Sequence, residues 1–207
     1  MPSQNTIKQY VDEGIYHAYN RGVEKRNIFI DTQDYKQFLR IINDILVDPQ
    51  YRIIKKGEIP RKNYFNCIEL YSYCLMPNHF HLLLKQQNAQ DMQAFMRSLL
   101  TSYSMYFNIK YKRVGRLFQG IYKAAMVSTD DQLIHTSRYI HLNPVELKML
   151  FEYYPYSSYQ CYANQTSSNF VNTSKILTYF SNSLEYVEFV KTFNIPSKDV
   201  IGYIAID

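Results

Sequence analysis

Tryptophan is absent from the sequence, and cysteine, glycine and proline are scarce: the 207 residues include three Cys, six Gly and seven Pro. The cysteines, Cys67, Cys74 and Cys161, are odd in number and form no Cys-x-x-Cys pair. This argues against a disulfide framework and against a structural zinc site. No segment is biased enough in composition to indicate disorder. The length suits one domain of about 100–200 residues with an additional segment.

Long apolar runs are missing as well. No stretch reaches the roughly 18 consecutive apolar residues that indicate a membrane-spanning helix. The first residues also lack the apolar block of a secretory signal. We therefore expect a soluble protein of the reducing cytoplasm that has no membrane partner.

Acidic residues are absent from residues 92–129, although the whole chain contains 18 Asp and Glu against 23 Lys and Arg. Phosphates attract a basic surface, and unpaired bases stack on aromatic rings. We predict that five basic residues of this segment contact nucleic-acid phosphates: Lys110, Lys112, Arg113, Arg116 and Lys123. Of four interleaved rings we expect at most one or two to reach a base: Tyr106, Phe107, Tyr111 and Phe118. The alternative is an ordinary solvated face.

The apolar spacing predicts an alternation of strands and helices. Strands are indicated at 15–21, 66–76, 80–85 and 122–127, and helices at 32–47, 91–111 and 130–143. The segments 66–76 and 80–85 are two strands or one long strand with a kink. The order β-α-β-β-α-β-α is typical of an α+β, ferredoxin-like split βαβ fold with an antiparallel sheet, helices on one face and one added helix. We predict a domain over 1–160. Two short helical pieces, near 173–181 and 184–193, predict a mostly helical C-terminal appendage over 161–207.

His79 and His81 lie two residues apart in a predicted strand, so both imidazoles project from one face while Phe80 points into apolar packing. Such a pair can chelate a divalent ion. The alternative is two ordinary histidines satisfied by hydrogen bonds. A zinc-protease motif His-Glu-x-x-His is absent, and His17, His135 and His141 show no recognisable ligand spacing.

The last predicted helix places His135, Tyr139 and Asn143 along one side, because residues four apart share a helix face. Leu133 and Ile140 fall on a different side and can bind the core. The amide oxygen of Asn143 could then be a further ligand, with Tyr139 one turn away. With 21 tyrosines, periodicity does not distinguish Tyr139 from Tyr103, Tyr106 or Tyr122. The alternative, in which Tyr139 only packs and His135 and His141 are surface or capping residues, stays open.

Several segments in the same order resemble one family. Leu75-Met76-Pro77-Asn78-His79-Phe80-His81 resembles the His-hydrophobic-His (HUH) signature of the IS200-like transposases, and specifically the branch of REP-associated tyrosine transposases. Further matches lie at 16–22, 115–120, 122–124, 138–145 and 156–159, so the resemblance spans about residues 15–160.

The resemblance implies a ferredoxin-like fold and a site. Tyr139 would be the nucleophile that forms a 5′-phosphotyrosine link, and His79, His81 and Asn143 would bind Mg²⁺ or Mn²⁺. Ligand softness alone favours Mn²⁺ or Zn²⁺ for two imidazoles. The implied partner is single-stranded or hairpin DNA, and a homodimer is a further expectation.

Two further cations join the expected DNA contacts, Arg21 and Arg138, and Arg138 could also help Tyr139 to ionise. The sequence departs from the family at His135, where relatives often carry an acid, and at Ile121, where they often carry Arg. The first departure puts any proton-transfer role at His135 in doubt, and the second removes a phosphate contact.

Two other functions remain open at this point. One is a domesticated relative that grips hairpin DNA without cutting it. The other is a metal-dependent nucleic-acid hydrolase whose nucleophile is water, which leaves no covalent adduct.

Overall fold

The computed structural model describes residues 9–52 and 60–192. The predicted domain and appendage extend outside this part of the chain, at 1–8, 53–59 and 193–207. The elements run in the order β1 (Ile15–Arg21), α1 (Thr32–Leu46), β2 (Ile68–Met76), β3 (His79–Gln86), α2 (Asp91–Lys110), β4 (Lys123–Val127), α3 (Asp130–Leu142), α4 (Tyr159–Tyr162), α5 (Ser174–Leu177) and α6 (Ser183–Lys191). None of the described helices combines the length and apolarity that crossing a membrane requires.

The four strands form one sheet in the order β2-β3-β1-β4, and every neighbouring pair is antiparallel. This confirms the α+β, ferredoxin-like prediction, since β3 lies between the first two strands of the chain. The register places Tyr19 opposite His81 and Arg21 opposite His79. His17 on β1 and His79 and His81 on β3 therefore lie on neighbouring inner strands of the sheet.

Helices α1 and α2 cover one face of the sheet. Helix α1 begins at Asp31, whose carboxylate accepts from the Asp34 amide in a capping box. Its buried side chains and those of α2 pack on Phe80, Leu82 and Leu84 of β3: Phe38, Ile41, Ile42, Phe95, Met96 and Leu99. Phe80 therefore points away from the face that carries the histidines, as the strand alternation predicts.

Helix α3 covers the opposite face. Thr129 caps it by accepting from the Gln132 amide. Leu133 and Ile140 are buried against sheet residues that include Leu83 and Ala125, which confirms their predicted role as core contacts. The site of interest lies on this face, between α3 and the two inner strands.

The C-terminal segment packs on α3 and belongs to the same apolar cluster. Its buried members in that cluster are Tyr162, Ile176, Tyr186 and Val190. The Tyr186 hydroxyl bonds with Ser137 and with Nδ1 of His141. A division of the chain at residue 160 stays a prediction, and the described part of the appendage is anchored through α6.

His141 is fully buried, with Nε2 bonded to the Ser158 hydroxyl and Nδ1 to Tyr186. Burial lowers the pKa of His141 to about 3, so its ring is neutral at pH 7. The interpretation of His141 as a surface or capping residue is therefore wrong, because the ring joins α3 to the segment that follows it.

Candidate active site

Two imidazoles converge on the α3 face of β3. The ring centroids of His79 and His81 lie 4.9 Å apart with an interplanar angle of 79°. His81 is buried and His79 is half-buried. The predicted shared face is thus observed, and the rings are close enough to serve one ion.

The His79 ring is oriented by its neighbour in the β2–β3 turn. His79 Nδ1 lies 2.6 Å from Oδ1 of Asn78, whose Nδ2 donates to the Lys25 carbonyl. Because that amide has its nitrogen turned to a carbonyl, its oxygen faces His79 and accepts the Nδ1 proton. The lone pair of His79 Nε2 is then turned toward α3.

The His81 ring is held from the neighbouring strand. His81 Nδ1 lies 2.9 Å from Nε2 of His17 on β1. His81 Nε2 is buried and has no hydrogen-bond partner within the described residues. A buried nitrogen without a partner is costly unless a ligand completes it.

Asn143 comes from α3, where it directly follows the last helical residue. Its Nδ2 donates to the Tyr139 carbonyl at 2.9 Å, and its Oδ1 lies 3.5 Å from His79 Nε2. The amide is therefore turned so that an oxygen, the atom a hard cation prefers, points at the histidine pair.

Tyr139 lies one helical turn before Asn143 and is half-buried. Its ring stands edge-on to His81, with centroids 5.6 Å apart, and edge-on to His17 at 5.8 Å. The Tyr139 ring is therefore packed beside the two histidines and is not fully buried.

The donor set fits a divalent cation. Donors on one ion with bonds of about 2.1 Å lie roughly 3–3.5 Å apart, and the spacing of His79 Nε2 and Asn143 Oδ1 is 3.5 Å. Within residues 9–52 and 60–192, no three His, Cys, Asp or Glu side chains form a metal-binding group. The ion would thus rely on two imidazoles and an amide oxygen, leaving positions for substrate oxygens.

Both imidazoles are neutral at pH 7, as metal ligands must be. Burial lowers the pKa of His79 to about 4, with a smaller contribution from the positive charge of Arg21. Burial also holds the pKa of His81 well below its usual value, assisted by His79 and His17. The Asn143 amide raises the pKa of both rings, and its effect is smaller than that of burial.

The family model described as "Transposase IS200 like" matches residues 10–143, which is more than half of the chain. This chain belongs to the IS200-like transposase family. The matched region contains β1, β3 and α3, and therefore every side chain of the site described above.

Two solved structures are similar to this IS200-like transposase. A REP-associated tyrosine transposase bound to a REP hairpin has a TM-score of 0.56 at 13% identity, with 83% of this chain and 96% of that chain covered. This likeness shows the fold. A transposase candidate from Deinococcus radiodurans has a TM-score of 0.39 at 14% identity, covering 81% and 100% of the two chains. Among curated proteins, none matches this sequence.

Five of the predicted DNA contacts of the transposase fall into two groups. Arg21 and Lys123 lie beside the site: Arg21 Nε donates to Gln119 at 2.6 Å, and the Lys123 ammonium is 5.8 Å from the Tyr19 ring centroid. Lys112, Arg113 and Arg116 belong to the loop between α2 and β4, where Lys112 and Arg116 are exposed. Their contact with DNA stays a prediction.

Lys110 differs from these cations. Its ammonium lies 2.8 Å from Asp31 and 2.7 Å from the buried Asp34. Of the four aromatic residues, Phe107 and Phe118 are buried in the core, so at most Tyr106 and Tyr111 remain for stacking on bases, and such stacking stays a prediction. Tyr106 and Tyr111 donate their hydroxyls to Asp34.

Arg138 and His135 face the appendage. The Arg138 guanidinium lies 4.5 Å from the Phe189 ring centroid of α6 and donates to His135 Nδ1 at 2.8 Å. The His135 ring stands edge-on to Phe189. Arg138 is only 5% exposed, which leaves little of it for a phosphate, so its roles in binding DNA and in ionising Tyr139 stay predictions.

Sequence reasoning missed His17 and Asn78 as members of the site. Asn78 precedes His79 directly, so an amide beside a predicted ligand was a usable signal. His17 comes from another strand, and its contact with His81 depends on a register that no local pattern contains.

Proposed function

We propose that this protein is a metal-dependent transposase that cleaves and rejoins single-stranded DNA through a 5′-phosphotyrosine intermediate. One observation carries the proposal: α3 brings the Tyr139 ring against His81 while its next turn aims Asn143 Oδ1 at His79. A tyrosine that only packs would not need the amide and both imidazoles turned to the same point.

The residues that would hold the ion are His79, His81 and Asn143, with Mg²⁺ or Mn²⁺ as the metal. When bound, such an ion supplies Lewis-acid stabilisation of charge on the phosphate oxygens. The imidazole nitrogens favour Mn²⁺ over Mg²⁺ on ligand softness.

The proposed step exchanges one phosphoester for another. The Tyr139 oxygen attacks the phosphorus and loses its proton, the bond from phosphorus to the 3′ oxygen breaks, and that oxygen leaves as a 3′-hydroxyl after taking up a proton. The 5′ phosphate stays on Tyr139. Because no bond is hydrolysed, a second 3′-hydroxyl can reverse the step and join a new strand without ATP.

DNA would reach the site over the surface formed by Arg21, Lys123 and the loop that carries Lys112, Arg113 and Arg116. The structural neighbour bound to a REP hairpin supports hairpin DNA as the substrate form. Whether the chain acts as a homodimer stays a prediction.

The test is incubation with end-labelled hairpin DNA and Mn²⁺, followed by denaturing electrophoresis. The wild-type protein should form a covalent DNA adduct, and Tyr139→Phe should form none, because the attacking oxygen is gone. Tyr153→Phe is the matched control, since Tyr153 is exposed at 75% and lies in a 3-10 turn after α3; it should form the wild-type adduct.

Two outcomes would refute the proposal. Cleavage that survives Tyr139→Phe without any adduct would indicate water as the nucleophile and a hydrolase. Hairpin binding with no cleavage by the wild-type protein under Mn²⁺ would indicate a DNA-binding module that has lost its activity.

A further inference from the structure

We propose that His17 is a positioning residue: by accepting a hydrogen bond from His81 Nδ1, it fixes the tautomer and orientation in which His81 binds the ion. This inference rests on the proposed function, because it assigns a task to a residue beside that metal site. His17 is not itself placed among the ligands.

The contact between the two rings has the geometry of a strong hydrogen bond. His17 Nε2 and His81 Nδ1 are 2.9 Å apart, and the ring planes differ by only 10°. Nearly parallel planes allow the N–H of one ring to point at the in-plane lone pair of the other. His17 is 0% exposed and His81 is 1% exposed, so water does not compete for the bond.

Which of the two rings donates this hydrogen bond can be inferred from the state in which each alternative leaves His81 Nε2. If His17 donated, neutral His81 would carry its proton on Nε2, where it has no partner within the described residues. Burying an N–H donor without an acceptor costs free energy. If His81 donates, its Nε2 keeps a lone pair turned into the site, which is the form a metal ligand requires.

His17 itself is not available as a ligand in this arrangement. Its Nε2 is used by His81, and the described residues contain no metal-binding group of three His, Cys, Asp or Glu side chains. The His17 ring also lies edge-on to Tyr139, with centroids 5.8 Å apart, and 5.0 Å from the ring of Tyr19. One side chain thus touches both a proposed ligand and the proposed nucleophile.

The test measures Mn²⁺ binding by isothermal titration calorimetry, without any DNA. His17→Phe keeps a ring but removes the acceptor, and it should weaken Mn²⁺ binding by about 10–100-fold, the usual effect of losing such a partner. His17→Gln offers an amide oxygen near the position of Nε2, and it should restore most of the affinity.

Leu83→Ala is the matched control for packing. Leu83 lies directly opposite His17 in the sheet and is buried on the same face, so its truncation destabilises the same region without touching a polar atom. It should lower the melting temperature and leave the Mn²⁺ affinity close to that of the wild type.

The outcomes separate this inference from the proposed function. If the wild-type protein binds no Mn²⁺, the metal site itself fails. If the wild type binds and folded His17→Phe binds equally well, the metal site stands and the task assigned to His17 is overturned.

If His17→Phe does not fold, nitrogen NMR of the imidazoles in the wild-type protein can test the inference, because it shows which nitrogen of His81 carries the proton. His81 should carry its proton on Nδ1 in the metal-free protein. A proton on Nε2 would overturn the inference.

Discussion

The imidazoles of His17, His79 and His81 lie together on one face of β1 and β3, and the hydrogen bonds within the protein occupy only some of their nitrogens. His79 and His81 each have Nδ1 bonded within the protein, to Asn78 and to His17. Their Nε2 atoms are left for the site. The partner of each proposed ligand therefore decides which of its nitrogens can bind an ion, so Asn78 and His17 would orient the proposed ligands.

We expect the Mn²⁺ affinity of these residues to be maintained under mildly acidic conditions. An ordinary histidine becomes protonated near pH 6.5 and loses its metal, whereas burial lowers the pKa of His79 to about 4 and that of His81 well below its usual value. The neutral, binding form therefore persists as the pH falls. Calorimetric affinity should be nearly constant from pH 7.5 to about 5.5 and should fall only near pH 4. A decline centred on pH 6.5 would contradict the burial argument.

Local periodicity could predict part of this site. The spacing of two places His79 and His81 on one face of a strand, and the spacing of four places Tyr139 and Asn143 on one side of a helix. Neither spacing brings the two pairs together, and the choice of Tyr139 among 21 tyrosines came from the family resemblance. His17 was out of reach, because its contact depends on how β1 pairs with β3.

At the scale of elements, the acid-free segment 92–129 does not form an acid-free surface. Helix α1 packs beside α2 and supplies Asp31 and Asp34, which pair with Lys110. A count of charges along one segment does not include the acidic residues that a neighbouring helix places beside it. Lys112 and Arg116, in the loop beyond α2, remain exposed and are better candidates for phosphate contact.

We therefore expect Lys110→Met to change the stability of the protein and Arg116→Ala to change the salt dependence of DNA binding. Lys110→Met removes the cation from the buried Asp34 and should lower the free energy of unfolding by roughly 1–2 kcal/mol. It should leave the salt dependence of DNA binding unchanged. Arg116→Ala should leave stability unchanged and reduce the slope of log affinity against log salt by about 0.7, the value for one phosphate of a single strand.

Urea unfolding and DNA titration at several salt concentrations measure these two effects. A reduced slope in Lys110→Met at unchanged stability would return Lys110 to the DNA-binding surface.

Element boundaries were largely predictable, for a physical reason. Asp31 and Thr129 cap their helices with side-chain hydrogen bonds, and Gly- and Pro-containing turns separate the strands. These signals are local and stand in the sequence itself. The order of strands in the sheet is not local, and it followed only from the typical arrangement of a βαββαβ chain.

At the scale of the whole molecule, two apolar clusters lie on opposite faces of one sheet. The buried residues of the cluster under α1 and α2 all belong to the predicted catalytic domain, with Phe170 and Val171 of the appendage packed against them. The cluster under α3 has buried members in α5 and α6 of the predicted appendage. The amino-acid composition changes near residue 160, but buried residues from both sides of this position belong to the same cluster. The helix that carries Tyr139 is thus covered on its outer side by the C-terminal segment.

We expect the appendage and the catalytic domain to unfold together. Tyr186→Phe removes the hydroxyl that joins Ser137 and His141 to α6. Leaving these buried partners without it should lower the free energy of unfolding by roughly 1–3 kcal/mol in a single urea transition. Tyr153→Phe, at an exposed position, is the control and should have almost no effect. Two separate transitions, with only one shifted, would instead indicate an independent appendage.

The inner position of β1 and β3 has a consequence for how the site moves. Each of these strands is hydrogen-bonded on both sides, so local fraying of an edge strand leaves them paired. The histidines then keep their mutual geometry through small opening fluctuations, and they are displaced only when most of the sheet opens. In the proposed function, motion that admits or releases DNA would therefore involve the surrounding loops and α3, which carries Tyr139 and Asn143, while the two imidazoles on the inner strands stay fixed.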